Sequence, residues 1–147
     1  MPDAQPLTEE ELRRFATDWY RALDVHAPAA QVLEMVAPEA EFQFPEVTTH
    51  GRQEFVDNWY EKVIRRFFDE EHTVKEVVPS GTGDVVDVKV VVNWQARIWD
   101  PPEPRSKWLG MDAYQTWKVR RSEETGRPLV TFYVVDDLAL MEGSESL

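Results

Sequence analysis

A five-residue strand segment, Glu41-Phe-Gln-Phe-Pro45, is caught between two helical stretches, and the long strands all come after it. A brief strand between helices, with longer strands still to come, is the ordering of a curved sheet wrapped around a helix-lined pocket. This constrains the fold closely and the chemistry inside only in part.

The helices carry their own start signals. Thr8-Glu-Glu-Glu11 reads as a capping box, with Thr8 as N-cap and Glu11 at the third helical position. Leu12, Phe15, Ala16, Trp19, Ala22 and Leu23 follow at helical spacing. Pro28 suits the first turn of a second, shorter helix that Pro38 ends. After the short strand and a loop, Gly51 precedes a helix expected over 52–68. Its apolar residues come in pairs four apart, Phe55/Val56, Trp59/Tyr60, Val63/Ile64 and Phe67/Phe68. A four-residue repeat overshoots 3.6, so the stripe drifts by roughly 40° per step and suits a twisted sheet.

The remainder alternates like strands, over 72–78, 84–100, 108–121 and 129–141, separated by Pro/Gly-rich loops and turns. The expected order is α-α-β-α-β-β-β-β. At 147 residues, with 42% hydrophobic and 12% aromatic content, one packed domain over 1–147 is the simplest organisation. A net charge of −12 with scattered basic residues speaks against nucleic acid or an anionic membrane surface as partner. The chain holds no cysteine, which removes disulfides, thiol nucleophiles and Cys-based zinc sites. No signal-peptide pattern opens it and no apolar run has the length of a membrane span, so a soluble, cytoplasmic protein is expected.

The element order, together with Ala37-Pro-Glu-Ala-Glu-Phe-Gln-Phe-Pro45, His50-Gly-Arg-Gln-Glu-Phe55 and Gly126…Phe132-Tyr-Val-Val-Asp-Asp137, resembles the nuclear transport factor 2-like superfamily. This group includes SnoaL-type polyketide cyclases, ketosteroid isomerases, scytalone dehydratase and limonene epoxide hydrolase. The resemblance implies a cone-shaped α+β (cystatin-like) fold, with three N-terminal helices wrapped by a curved, mixed, mostly antiparallel sheet. It also implies a pocket between helices and sheet, and a homodimer packed through outer sheet faces.

By that resemblance, Tyr20 matches the oxyanion-hole tyrosine of the ketosteroid isomerases, and their second donor falls near Gln115. Their general base falls on Phe44, which cannot move a proton. The arginine of limonene epoxide hydrolase resembles Arg97, but its paired aspartates align near Trp99 and Tyr133 and its water-holding residues with Phe42 and Phe44. Scytalone dehydratase-like proteins place a histidine where His72 stands. The companion histidine of the next strand has no counterpart, leaving Tyr20 or Tyr133 as the partner of His72.

Each candidate has a plain structural reading beside the chemical one. Tyr20, beside Trp19, suits either a core aromatic or a donor aimed into the pocket. His72 at a strand start is either an exposed histidine or a neutral-pH proton shuttle. Arg97 shares a strand face with Asn93, Gln95 and Trp99, and alternation leaves open which face of 84–100 is inward. Gln115 lies on an otherwise apolar face with Trp117, where an amide needs a partner or a ligand. His26, His50 and His72 are far apart without metal spacing, so no metal site is expected. No phosphate loop, nucleophile elbow or dinucleotide fingerprint is present, and no cofactor is expected.

The expectation is a binder of a small apolar or aromatic, polyketide-like molecule, acting as a cyclase, isomerase or dehydratase by acid–base chemistry. Tyr20 and Gln115 would donate hydrogen bonds, His72 would shuttle the proton and Arg97 would stabilise an anion. Trp19, Phe44, Tyr60, Trp94, Trp117 and Tyr133 would shape the walls. The alternative is a non-catalytic carrier or a protein-contact adaptor, which the phenyl ring at Phe44 favours.

Overall fold

The structure is a computed structural model and describes residues 5–81 and 83–147. Helix α1 (Glu9–Asp24) starts at Thr8, whose side chain accepts from the Glu11 amide. The Glu11 carboxylate, the other half of the expected capping box, is also engaged by Arg121 through both oxygens at 2.6 and 2.7 Å. Helix α2 (Ala29–Leu33) is one short turn capped by Pro28. Pro38 stands inside strand β1 (Val36–Gln43) rather than ending that helix, and β1 is longer than the expected five residues.

A hairpin returns through β2 (Thr48–His50), which the sequence presents as loop. The long helix then runs as α3 (Gly51–Phe55), a π-helical turn over Val56–Tyr60, and α4 (Glu61–Arg66). The π turn is the structural answer to the four-residue aromatic repeat, since a wider turn brings residues spaced beyond 3.6 back to one face. The helix ends at Arg66, and Phe67 and Phe68 open β3 (Phe67–Ser80). Strands β4 (Val85–Ile98), β5 (Lys107–Arg121) and β6 (Pro128–Leu140) complete the chain.

One six-stranded sheet results, in the order β2-β1-β6-β5-β4-β3. The β1–β6 pair is parallel and the others are antiparallel. Helix α1 lies across the concave face, burying Leu12, Phe15, Ala16, Trp19, Tyr20 and Leu23 against Phe42, Trp117, Val119 and Tyr133. Burying aromatic and aliphatic side chains at about 1.5–3 kcal/mol each is what closes the sheet over the helix. The inward face of β4 is the even-numbered one, Val86, Val88, Val90, Val92, Ala96 and Ile98, which puts Trp94 on the cavity side and Arg97 on the outer face. This is the α+β architecture that the resemblance implies. Among the described residues no helix is long and apolar enough to cross a membrane.

Candidate functional site

A cavity of about 110 Å³ opens between the end of α1, the π turn and the concave sheet. Six aromatic rings contribute to its lining, Tyr20, Phe44, Trp59, Phe67, Trp94 and Tyr133. Phe44 lies flat on Trp59, with ring centroids 3.9 Å apart.

A directed chain of hydrogen bonds ends in this cavity. The indole Nε1 of Trp117 can only donate, and it bonds Gln115 Oε1 at 3.0 Å, which fixes how the buried amide is turned. The amide Nε2 therefore faces Tyr20 and donates to its hydroxyl at 2.8 Å. The hydroxyls of Tyr20 and Tyr133 meet at 3.1 Å. Whichever of the two donates, one phenolic proton is left over for the cavity, and Tyr20 and Tyr133 both line it. Burial holds both phenols protonated: it pushes Tyr133 up to about 12 and Tyr20 well above the ordinary tyrosine range. These are donors tuned not to ionise.

The second group is His72. Its ring Nδ1 and its backbone N–H both bond the carboxylate of Asp24, the last residue of α1, the latter at 2.9 Å. The ring lies flat against Tyr20, with centroids 4.6 Å apart. With Nδ1 donating to the carboxylate, Nε2 is the nitrogen available to accept a proton.

His72 faces inward because of a bulge. The pairing of β3 with β4 shifts between Phe68 and Glu71, and Asp69 adopts a left-handed backbone with φ 51°. Phe67 points in, Phe68 and Asp69 point out, and Glu70 and His72 point in. Bulges commonly re-aim side chains beside functional sites. Glu70 thereby enters the cavity lining with its side chain only 2% exposed, although it is a carboxyl. It accepts from Trp94 Nε1 at 3.2 Å and bonds His26 Nε2 at 2.5 Å. Burial raises the Glu70 carboxyl above the usual range, partly offset by His26 and His72.

Of the residues expected from the sequence, Tyr20, His72, Gln115, Phe44, Trp94 and Tyr133 come together around this cavity. Arg97 does not: its guanidinium bonds Ser106 Oγ at 2.8 Å on the outer sheet face. Trp19 and Trp117 pack in the core behind the lining. The Tyr60 hydroxyl is spent on the Ala27 carbonyl at 2.5 Å. The expected partners of His72 were Tyr20 or Tyr133; Tyr20 stacks on its ring, and the structure adds Asp24 as its hydrogen-bond partner. Asp24, Glu70 and His26 were not anticipated. Two signals point to them: Asp24 is four residues after Tyr20 on one helix face, and Glu70 is two before His72 on one strand face. Among the described residues no group of three or more His, Asp or Glu is placed to hold a metal ion.

Comparisons with solved structures agree with this architecture. The chain superposes on a putative scytalone dehydratase from Novosphingobium aromaticivorans at TM-score 0.70 and 15% identity, covering 94% of this chain and 88% of that one. It superposes on the hexachlorocyclohexane dehydrochlorinase LinA-type3 from Novosphingobium barchaimii at 0.70 and 14%, covering 94% and 92%. A protein of unknown function with a cystatin-like fold from Nostoc punctiforme aligns at 0.70 and 14%, over 97% and 100%. At such identities the likeness concerns the fold. No curated protein matches the sequence significantly. Residues 16–127 match the model of the SnoaL-like domain, and the chain belongs to that family.

Proposed function

We propose that the cavity binds a small, largely apolar molecule and that the Asp24–His72 pair moves a proton on it, as a cyclase, isomerase or dehydratase requires. The observation that carries this reading is the imidazole of His72, which lines an aromatic cavity while its Nδ1 is held by a carboxylate. An orienting carboxylate fixes the tautomer and stabilises the imidazolium that forms when Nε2 takes a proton. In the proposed step Nε2 removes a proton from carbon, and the electron pair moves toward a substrate oxygen. The spare phenolic proton of the Tyr20–Tyr133 pair donates to that oxygen. The imidazolium then returns the proton to another carbon, or to a leaving oxygen that departs as water. The printed names of two structural neighbours, a putative dehydratase and a dehydrochlorinase, are in keeping with proton removal from carbon.

The test is a panel of aromatic polyketides, sterols and terpenoids followed by the fluorescence of the six tryptophans. Ligands that bind are then incubated in D₂O, and deuterium incorporation is read by mass spectrometry. The proposal expects exchange that His72→Gln abolishes while binding persists. Binding without exchange or turnover would make the protein a carrier. The proposal extends to a homodimer through the outer sheet face, where Val91 and Tyr114 oppose each other across β4 and β5. Light scattering at micromolar concentration tests that part.

A further inference from the structure

The cavity contains a second imidazole–carboxylate pair, arranged the opposite way round. In Asp24–His72 the imidazole faces the cavity and the carboxylate stands behind it; in His26–Glu70 the carboxyl faces the cavity and the imidazole stands behind. The proton step proposed above uses only the first pair.

The second pair is held by unusual backbone. Helix α1 ends in a Schellman motif, in which Ala27 N bonds Ala22 O at 2.9 Å and His26 N bonds Leu23 O at 3.1 Å. The left-handed residue of such a motif is usually glycine, and here it is His26, with φ 52°. Asp69, immediately before Glu70, is also left-handed. Among the described residues these two are the non-glycine residues with positive φ, and each adjoins or belongs to the His26–Glu70 pair. A left-handed non-glycine residue costs roughly 1–2 kcal/mol, and such strain collects at ligand clamps. At the end of α1 a glycine would remove the strain and lose the imidazole, so the side chain of His26 is the gain.

The lining also has a charge preference. Among the described residues it contains two carboxyl side chains, Glu70 and Glu46 at the more exposed side, and no lysine or arginine. The remaining ionisable lining side chains are His72 and the two tyrosines. Around them stand six aromatic side chains, and a ring face open to the cavity attracts cations. A chain of net charge −12 repels anions before they reach the mouth and draws cations toward it.

From this we infer that the cavity takes an apolar or aromatic molecule bearing a basic amine, and that Glu70, oriented by His26 and Trp94, receives the ammonium group. Trp94 and His26 each engage one carboxylate oxygen, and each oxygen keeps a further lone pair for the ligand. A charge-assisted bond in so dry a place is stronger than one to a neutral hydroxyl. The inference rests on the reading that the cavity binds small molecules, and the test separates the two.

Three isosteric probes are titrated at pH 7.5 by tryptophan fluorescence: 2-naphthylmethylamine, 2-naphthylmethanol and 2-naphthoate. The expected result is that the amine binds at least tenfold more tightly than the alcohol, with the carboxylate weaker than both. Glu70→Gln should erase the amine's advantage and leave the alcohol's affinity nearly unchanged, which also certifies that the variant folds. Should that variant fail to fold, the ranking of the three probes on the wild-type chain decides alone. An alcohol bound as tightly as the amine, or an amine preference surviving Glu70→Gln, overturns the inference and leaves the small-molecule cavity standing. Failure of all three to bind overturns both.

Discussion

The imidazole and the backbone amide of His72 both bond the carboxylate of Asp24, one oxygen each, across 48 residues of chain. One carboxylate thus fastens the end of α1 to the start of β3 and chooses the tautomer of the ring that lines the cavity.

Asp24→Asn keeps the shape of that contact and removes its charge. Turnover on a substrate found by the ligand screen should fall by roughly 10²–10⁴-fold, with little change in ligand affinity. Long-range ¹H–¹⁵N spectra provide a readout independent of substrate. They should show the proton of neutral His72 on Nδ1 in the parent chain and a loss of that preference in the variant.

Gln115→Leu should act on stability first. It strands the indole N–H of Trp117 and removes the donor to Tyr20, both in the buried core. Leaving buried polar groups unpaired costs about 1–3 kcal/mol each, so the melting temperature should drop by roughly 5–15 °C. A drop of only a degree or two would mean that water replaces the amide.

Arg121 binds both oxygens of Glu11 and the carbonyls of Gln5, Pro6 and Gly126, tying the start of α1 to the β5–β6 turn. This guanidinium holds the Glu11 carboxyl below its ordinary value. The pair therefore stabilises the fold above the unfolded carboxyl pKa, about 4.3, and that contribution is lost as pH falls through the lower folded value. Arg121→Gln should cost about 2 kcal/mol at pH 7 in urea unfolding. The gap between the two proteins should shrink steadily below about pH 4.3.

Tyr133 makes the matching case at alkaline pH. Its pKa is raised on folding to about 12, so its contribution is full below the unfolded value near 10 and is lost as pH rises through the folded value. Tyr133→Phe should be less stable than the parent at pH 8 by about 1 kcal/mol. That difference should vanish or reverse between about pH 10 and 12, followed by circular dichroism.

Asp69 offers a test of the bulge that aims Glu70 and His72. Asp69→Val, placing a β-branched residue at φ 51°, should destabilise by about 2 kcal/mol or shift the register. Asp69→Gly should be tolerated. Chemical shifts of the His72 ring would move in the first variant and stay in place in the second.

The fold was legible because its signals are local. Thr8, the helical spacing through Leu23 and the alternation along β4 to β6 state what each segment becomes, and burial then needs little further instruction. Gln115 was legible too, since a polar residue on an apolar face announces a partner, whereas Tyr20 and Tyr133 were separate candidates whose pairing only the structure shows. The ends of the elements were less so: Pro38 entered a strand, and the aromatic repeat was absorbed by a π turn.

By itself, then, the sequence determined the main helices and the long strands, because periodicity acts over a few residues. Tertiary structure decided which side chains meet. Asp24 reaches His72 over 48 residues and His26 reaches Glu70 over 44, only because α1 packs across β3. The bulge at Asp69 reverses the strand's alternation at the point where the chemistry sits, so counting by twos from Phe67 would aim Asp69 and Glu71 into the cavity. Alternation also left both faces of β4 open, and the covering helix settled that Trp94 is inside and Arg97 outside, because only one face of a curved sheet is concave.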